Sequence, residues 1–324
     1  MKEFIIFIFC ISFIIFIHEL GHLMWAKFFG VYVHEFSIGF GPKLISKQFK
    51  ETAYSIRLIP LGGFVSMAGE TKEMDNNPNI SDNMLFVNKK WWQKIIILLG
   101  GIINNLLCFF IIFTIIILNR GILDHVKVES VNVGSAAQKM GLMPNDELLN
   151  ISDPSQLKQN TILEVRRDNS RLNIVVDYQN QEKLGISLRA INKNVNLFEA
   201  IIHTSELAIN TIGATMVAVA SLFVGKGLEN VNGIVGVYDM TSKISNLGFL
   251  AIINWIGILS LSIGAFNLFP IPMCDGGRIV MVIIEKIIGK PIPAKVENFV
   301  LTASALLLLL LMIIVTYVDI SRLF

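Results

Sequence analysis

Residues 4–22 read FIIFIFCISFIIFIHELGH, an almost unbroken hydrocarbon run from Phe4 to Ile17 that ends in His18-Glu19-Leu20-Gly21-His22. The run has the length and character of a membrane span. Ionisable groups placed in lipid are costly and mark function by default. On an α-helix His18 and His22 lie four residues apart on one face, with Glu19 beside them. Two imidazoles so placed can bind Zn²⁺ while the carboxylate acts on a water at the metal. Two histidines satisfied by neighbouring helices would leave the same string, but the intramembrane cost weighs against that alternative.

The rest of the chain has a membrane protein's composition: 53% of its 324 residues are hydrophobic and 16% charged, with mean hydropathy +0.62. A soluble domain seldom looks like this. A net charge of +2 without a long basic run excludes nucleic acid as a partner. Cys10, Cys108 and Cys274 are odd in number and sit in or beside apolar segments, which argues against a disulfide framework. Lys2 ahead of the apolar run resembles a secretory signal, yet no small-residue cleavage site follows, so the segment reads as a retained first span.

Four spans are expected, roughly Phe4 to Phe28, Trp92 to Leu118, Phe249 to Phe269 and Phe299 to Val318. Lysines and arginines gather between the first two, among them Lys43, Lys47, Arg57 and Lys89. They gather again between the last two, at Arg278, Lys286, Lys290 and Lys295. Both loops then face the cytoplasm, with Trp91 and Trp92 as an interfacial anchor and both termini extracytoplasmic. The zinc motif falls toward the cytoplasmic end of span one. A catalytic zinc usually takes three protein ligands. Span three runs in the same direction into Asn267-Leu-Phe-Pro-Ile-Pro-Met-Cys-Asp275-Gly-Gly, so Asp275 arrives on the same side as His22 and is the expected third ligand. Its prolines would break the helix at membrane depth, where irregular backbone is tolerated only in protein or beside a wet cavity. A plain helix-terminating turn is the alternative, and it leaves the zinc motif one ligand short.

The order of motifs resembles the site-2 protease family of zinc intramembrane metalloproteases, in its bacterial regulator of sigma-E protease (RseP) branch. Beyond HELGH, the resemblance rests on residues 35–42 (EFSIGFGP), 59–67 (IPLGGFVSM), 100–104 (GGIIN), 231–236 (VNGIVG), 267–277 (NLFPIPMCDGG) and 319–323 (DISRL). It implies His18, His22 and Asp275 as zinc ligands and Glu19 as general base. Cys274 stands where the family motif usually has leucine and is read as a small packing residue; Asn104, rather than Asn105, is the match to the family's polar residue in span two. Asn267 resembles a family residue near the substrate and could hydrogen-bond backbone or oxyanion. Tyr54 to Met67 reads as a hairpin around Gly62-Gly63, where the family has a membrane-reentrant β-loop. Its free edge, Gly62, Gly63, Phe64 and Val65, could receive an extended substrate as an added strand.

Short strands are expected at Val126 to Val131, Glu147 to Ile151, Ile162 to Arg167, Leu172 to Tyr178 and Leu184 to Leu188. With Gly134-Ser-Ala-Ala and Gly141-Leu-Met-Pro-Asn-Asp146 they resemble a PDZ domain. Asn145 replaces the usual glycine, which is tolerable because asparagine also enters the left-handed region. The stretch Asp153 to Thr161 is short for a groove helix, so a module that screens substrates by size is expected.

The expected fold is thus an α-helical polytopic membrane protein with four transmembrane helices, a membrane-reentrant β-hairpin and one small extracytoplasmic PDZ-like domain. Its parts are 1–28, the first helix; 29–91, a cytoplasmic-side loop with the hairpin; 92–119, the second helix; 126–190, the PDZ-like domain; 196–245, an extracytoplasmic amphipathic segment; 249–277, the third helix with the Asp-Gly motif; and 278–324, a cytoplasmic-side loop and the fourth helix. The expected activity is zinc-dependent cleavage of single-span proteins within a bacterial inner membrane, on anti-sigma factors or signal-peptide remnants. A metal transporter or non-proteolytic scaffold is the alternative, although no repeat of span pairs is visible.

Overall fold

The computed structural model describes residues 1–70, 80–151, 156–178, 183–225, 227 and 231–322. The chain divides into two compact units, residues 1–113 with 203–324, and residues 114–202.

In the larger unit the apolar runs form long helices. α1 (Lys2–Phe28) and α2 (Trp91–Arg120) approach so closely at Gly21 that a Cβ there would lie 2.1 Å from the Gly100 carbonyl oxygen. Lys89 closes the end of α1, its Nζ donating to the carbonyls of Phe29 (2.7 Å) and Gly30 (3.2 Å), as suits a cation at a helix C-terminus. α6 (Phe249–Asn267) packs Ile256 and Leu259 against Cys10 and Ile14 of α1. α5 (Ile234–Ser245) sets Tyr238 edge-on against Phe4 and Phe7 at the start of α1. α8 (Ala294–Ser321) carries in its last turn Asp319, which is buried and accepts hydrogen bonds from the backbone N–H groups of Gly233 (2.9 Å) and Gly236 (2.8 Å) at the start of α5.

One expectation needs an addition and another a correction: among the described residues a fifth helix, Leu197–Leu222, within α4 (Leu197–Phe223), is long and apolar enough to cross a membrane beside the four expected spans. Glu199, His203 and Glu206 make its first turns look amphipathic, but from Leu207 onward the sequence carries no charge before Lys226. The Asp-Gly motif also does not belong to the third span: α6 stops at Asn267 and Asp275 opens a separate helix, α7 (Asp275–Ile288), after a Pro-containing break.

The hairpin differs in register from its expected form. Its strands are β1 (Val33–Phe49) and β2 (Thr52–Met67). They meet at Lys50-Glu51, where Lys50 takes a positive φ of 51°, not at Gly62-Gly63. Both strands bend, so residues 35–38 are flanked on one side by 63–66 and on the other by 53–56. Gly39 (φ 89°) and Gly62 (φ 143°) carry the bends. A Cβ on Gly62 would fall within 1.9 Å of the Phe40 ring. The glycine pair that reads as a turn is thus a strand bend, with Gly63 already paired to Ile38. Among the described residues, 63–67 has no strand on its outer side.

The smaller unit holds a five-stranded sheet of order β6-β5-β4-β3-β7. The strands are β3 (Ile122–Val131), β4 (Glu147–Leu148), β5 (Ile162–Arg167), β6 (Ser170–Val175) and β7 (Ile186–Lys193). Val128, Leu148, Leu163 and Val165 form its core with Ala136 and Ala137 of the short α3 (Ala136–Lys139), whose N-cap Ser135 accepts from Gln138 N–H. Asn145 adopts the left-handed region, φ 76°, beside a buried Asp146 that pairs with Arg167 at 2.7 Å. Asp153 to Ser155, the start of the shortened segment, lie outside the described residues; Leu157 to Thr161 form no helix.

Candidate metal centre

His18 and His22 project from the last turns of α1 onto one side, and the break after α6 delivers Asp275 to them. The Asp275 Oδ2 lies 3.2 Å from His18 Nε2 and 3.3 Å from His22 Nε2, and the two Nε2 atoms are 3.3 Å apart. In a tetrahedral set with ligands at 2.0–2.1 Å, neighbouring donor atoms are about 3.3 Å apart. The triangle therefore has the size that zinc requires. The three residues are the one cluster of at least three His, Cys, Asp or Glu donors found among the described residues. Asp275 Oδ2 is buried and accepts no hydrogen bond, an expensive state for a carboxylate unless a cation faces it. The donor set and its spacing fit Zn²⁺.

The surroundings fix the imidazoles. His22 Nδ1 lies 2.9 Å from the Ile97 carbonyl oxygen; a carbonyl can only accept, so Nδ1 carries the proton and Nε2 presents its lone pair. Gly101 of α2 lies directly under both rings: a Cβ there would be 2.6 Å from His18 Cε1 and 2.6 Å from His22 Nε2. Cys274 is buried and is the N-cap of α7 rather than part of the donor cluster.

A cavity of about 260 Å³ opens beside the triad, lined by Glu19, Gly63, Phe64, Val65, Asn267 and Met273 among others. Glu19 faces the β2 edge closely: a Cβ on Gly63 would be 3.2 Å from the Glu19 Cγ. Asn267 lines the cavity while its amide donates to the Ile263 carbonyl oxygen at 3.1 Å. Gly62 is not among the lining residues. The cavity also holds Glu70 and Arg278, which form an ion pair. No short motif flags that pair, because the two lie far apart in sequence. Asn105, not Asn104, is the α2 amide in reach of the triad, 3.3 Å from His18 Nδ1; Asn104 donates to the Ile17 carbonyl oxygen at 3.2 Å. The adjacent asparagines are indistinguishable by type, and only helix phase separates them.

The sequence model of peptidase family M50 matches residues 6–311. A chain from Clostridium perfringens, whose name assigns it provisionally to the zinc metalloproteases, is 33% identical over 328 residues, covering 95% of this chain and 96% of that one. The regulator of sigma-W protease RasP of Bacillus subtilis is 28% identical over 415 aligned positions, covering 99% and 98%. The zinc metalloprotease RasP of Bacillus licheniformis is 29% identical over 418 positions, with both chains covered in full.

Proposed function

The chain belongs to peptidase family M50, the site-2 protease family, and on that premise we propose that His18, His22 and Asp275 hold its zinc and that Glu19 is its general base. It is a zinc metalloprotease of intramembrane type with several membrane-capable helices. The alternative of a transporter or inert scaffold gives way to that membership. The observation that carries the site assignment is the triangle of donor atoms assembled from the last turns of α1 and the first residue of α7.

Zinc, when bound, supplies Lewis acidity for the scissile carbonyl and lowers the pKa of water toward about 7. The Glu19 carboxylate takes a proton from the attacking water and returns it to the nitrogen of the leaving chain. A helical substrate hides its carbonyls in its own hydrogen bonds and must unwind before attack. The unpaired edge at 63–67 offers the backbone partner for the unwound segment, as in strand addition. Asn267 stands across the cavity to hold substrate backbone.

The polarity of the helices supports four crossings. His22 and Asn267 lie near the C-terminal ends of α1 and α6, and the cluster joins those ends, so both helices run in one direction. An odd number of crossings must separate them. α2 is one; a full crossing by α4 alone would reverse α6. α5 packs on the start of α1 and is capped from the last turn of α8, which supports both chain termini lying on one side. With lysine-rich segments assigned to the cytoplasm, that side is extracytoplasmic in a bacterial inner membrane. Residues 126–190 read as a PDZ-like module on the outer side, supported by their short strands, the Gly134 turn into α3 and the left-handed Asn145. Its role is to exclude substrates with bulky outer domains. The substrates are single-span membrane proteins, anti-sigma factors or signal-peptide remnants. The test is cleavage of one single-span substrate, with and without a bulky outer domain, by the intact chain and by a chain with 126–188 replaced by a flexible linker. Cleavage of the bulky form only by the second chain is the expected result; equal exclusion by both contradicts the filter.

A further inference from the structure

We propose that Asn105 is a positioning residue for His18, holding the imidazole by accepting a hydrogen bond at Oδ1 from the ring's Nδ1–H. The proposal rests on the reading of His18 as a metal ligand. His18 presents Nε2 to Asp275 and to His22 Nε2. A histidine that offers the Nε2 lone pair must carry its proton on Nδ1 and donate it to an outer partner. For His22 that partner is the Ile97 carbonyl. For His18 the group in reach is the Asn105 amide, with Nδ2 placed 3.3 Å from Nδ1.

Two N–H groups facing one another cannot bond, so with Nε2 ligating, that placement leaves His18 without an acceptor. In the same placement Asn105 Oδ1 is buried and unpartnered. A half-turn of the amide exchanges two atoms of nearly equal size. It brings Oδ1 to His18 Nδ1–H and puts Nδ2 where the orphaned oxygen was. The side chain is fully buried, which makes a satisfied bond worth more and an unsatisfied one costlier. It is also held from α6: Ser260 Oγ donates to the Asn105 carbonyl oxygen at 3.1 Å, and a Cβ on Gly264 would lie 3.1 Å from the Asn105 Cβ. Asn105 thus links the metal ligand on α1 to the packing of α2 on α6.

The test compares zinc affinity, by chelator competition on the purified full chain in detergent, for wild type, Asn105→Leu, Asn105→Asp and His22→Ala, together with the melting of each zinc-free protein. Asn105→Leu removes the acceptor at similar size and should bind zinc roughly 10- to 100-fold more weakly, with zinc-free melting no lower than wild type. Asn105→Asp keeps an acceptor in place and should stay within about threefold of wild type or bind more tightly. Unchanged affinity in Asn105→Leu overturns the assignment, as does equal weakening in both Asn105 variants, since that would mean the amide N–H is what His18 needs. Should Asn105→Leu fail to fold, Asn105→Asp alone decides, because a carboxylate accepts but cannot donate. His22→Ala separates the two levels. Zinc lost there but kept in Asn105→Leu overturns only the role of Asn105, whereas zinc kept in both overturns the site itself.

Discussion

Replacing Gly101 with alanine should weaken zinc binding without touching a ligand. The added Cβ would stand 2.6 Å from His18 Cε1 and from His22 Nε2, and 2.8 Å from His18 Nδ1. Ordinary carbon contacts lie at about 3.5–4.0 Å, so each ring would have to retreat by roughly 1 Å. Metal sites hold ligand distances to within about 0.2 Å. The rings cannot both retreat and keep the triangle. Forcing an extra methyl into a packed site typically costs about 1–3 kcal/mol, which corresponds to a zinc affinity lower by roughly 5- to 150-fold. Chelator competition on the purified chain measures it. The zinc-free protein, whose rings need not keep the ligand triangle, should melt closer to wild type than the loaded one. Zinc affinity within about twofold of wild type in Gly101→Ala would refute the claim that α2 packs directly under the ligands.

Asp319→Ala should strip the acceptor from the N–H groups of Gly233 and Gly236 and lower thermal stability by about 2–4 kcal/mol, since bonds to a buried carboxylate are strong ones; an unchanged melt would mean that water replaces it. Strand addition at residues 63–67 uses every second amide of a bound peptide. In an extended inhibitory peptide, N-methylation in one alternation should abolish inhibition while the other leaves it intact. Equal effects of both alternations would remove the edge from the mechanism.

The candidate metal site was legible because chemistry and solvent disagree there: His18, Glu19 and His22 stand in a run that otherwise belongs in lipid. Asp275 followed from helix direction. What escaped the sequence was contact at a distance. Gly62-Gly63 resembles a turn, but its freedom is spent on bending β2 around Phe40, and the reversal falls at Lys50-Glu51, which carries no glycine. Asn104 and Asn105 differ only in which side of α2 they occupy, and one residue of helical phase decides which of them meets His18. The five short strands of the smaller unit were visible from alternation and turn residues, whereas their order in the sheet depends on pairings such as β3 with β7.

The central claim is that Glu19 performs proton transfer beside a zinc held by other residues. It is tested most directly by measuring zinc content and cleavage of a single-span substrate in the same Glu19→Gln preparation, beside His22→Ala and Asp275→Ala. Glu19→Gln should retain one zinc per chain and lose cleavage by at least about a hundredfold, while the other two should lose both zinc and activity. Undiminished cleavage by Glu19→Gln, or full zinc content in His22→Ala and Asp275→Ala, would contradict the account.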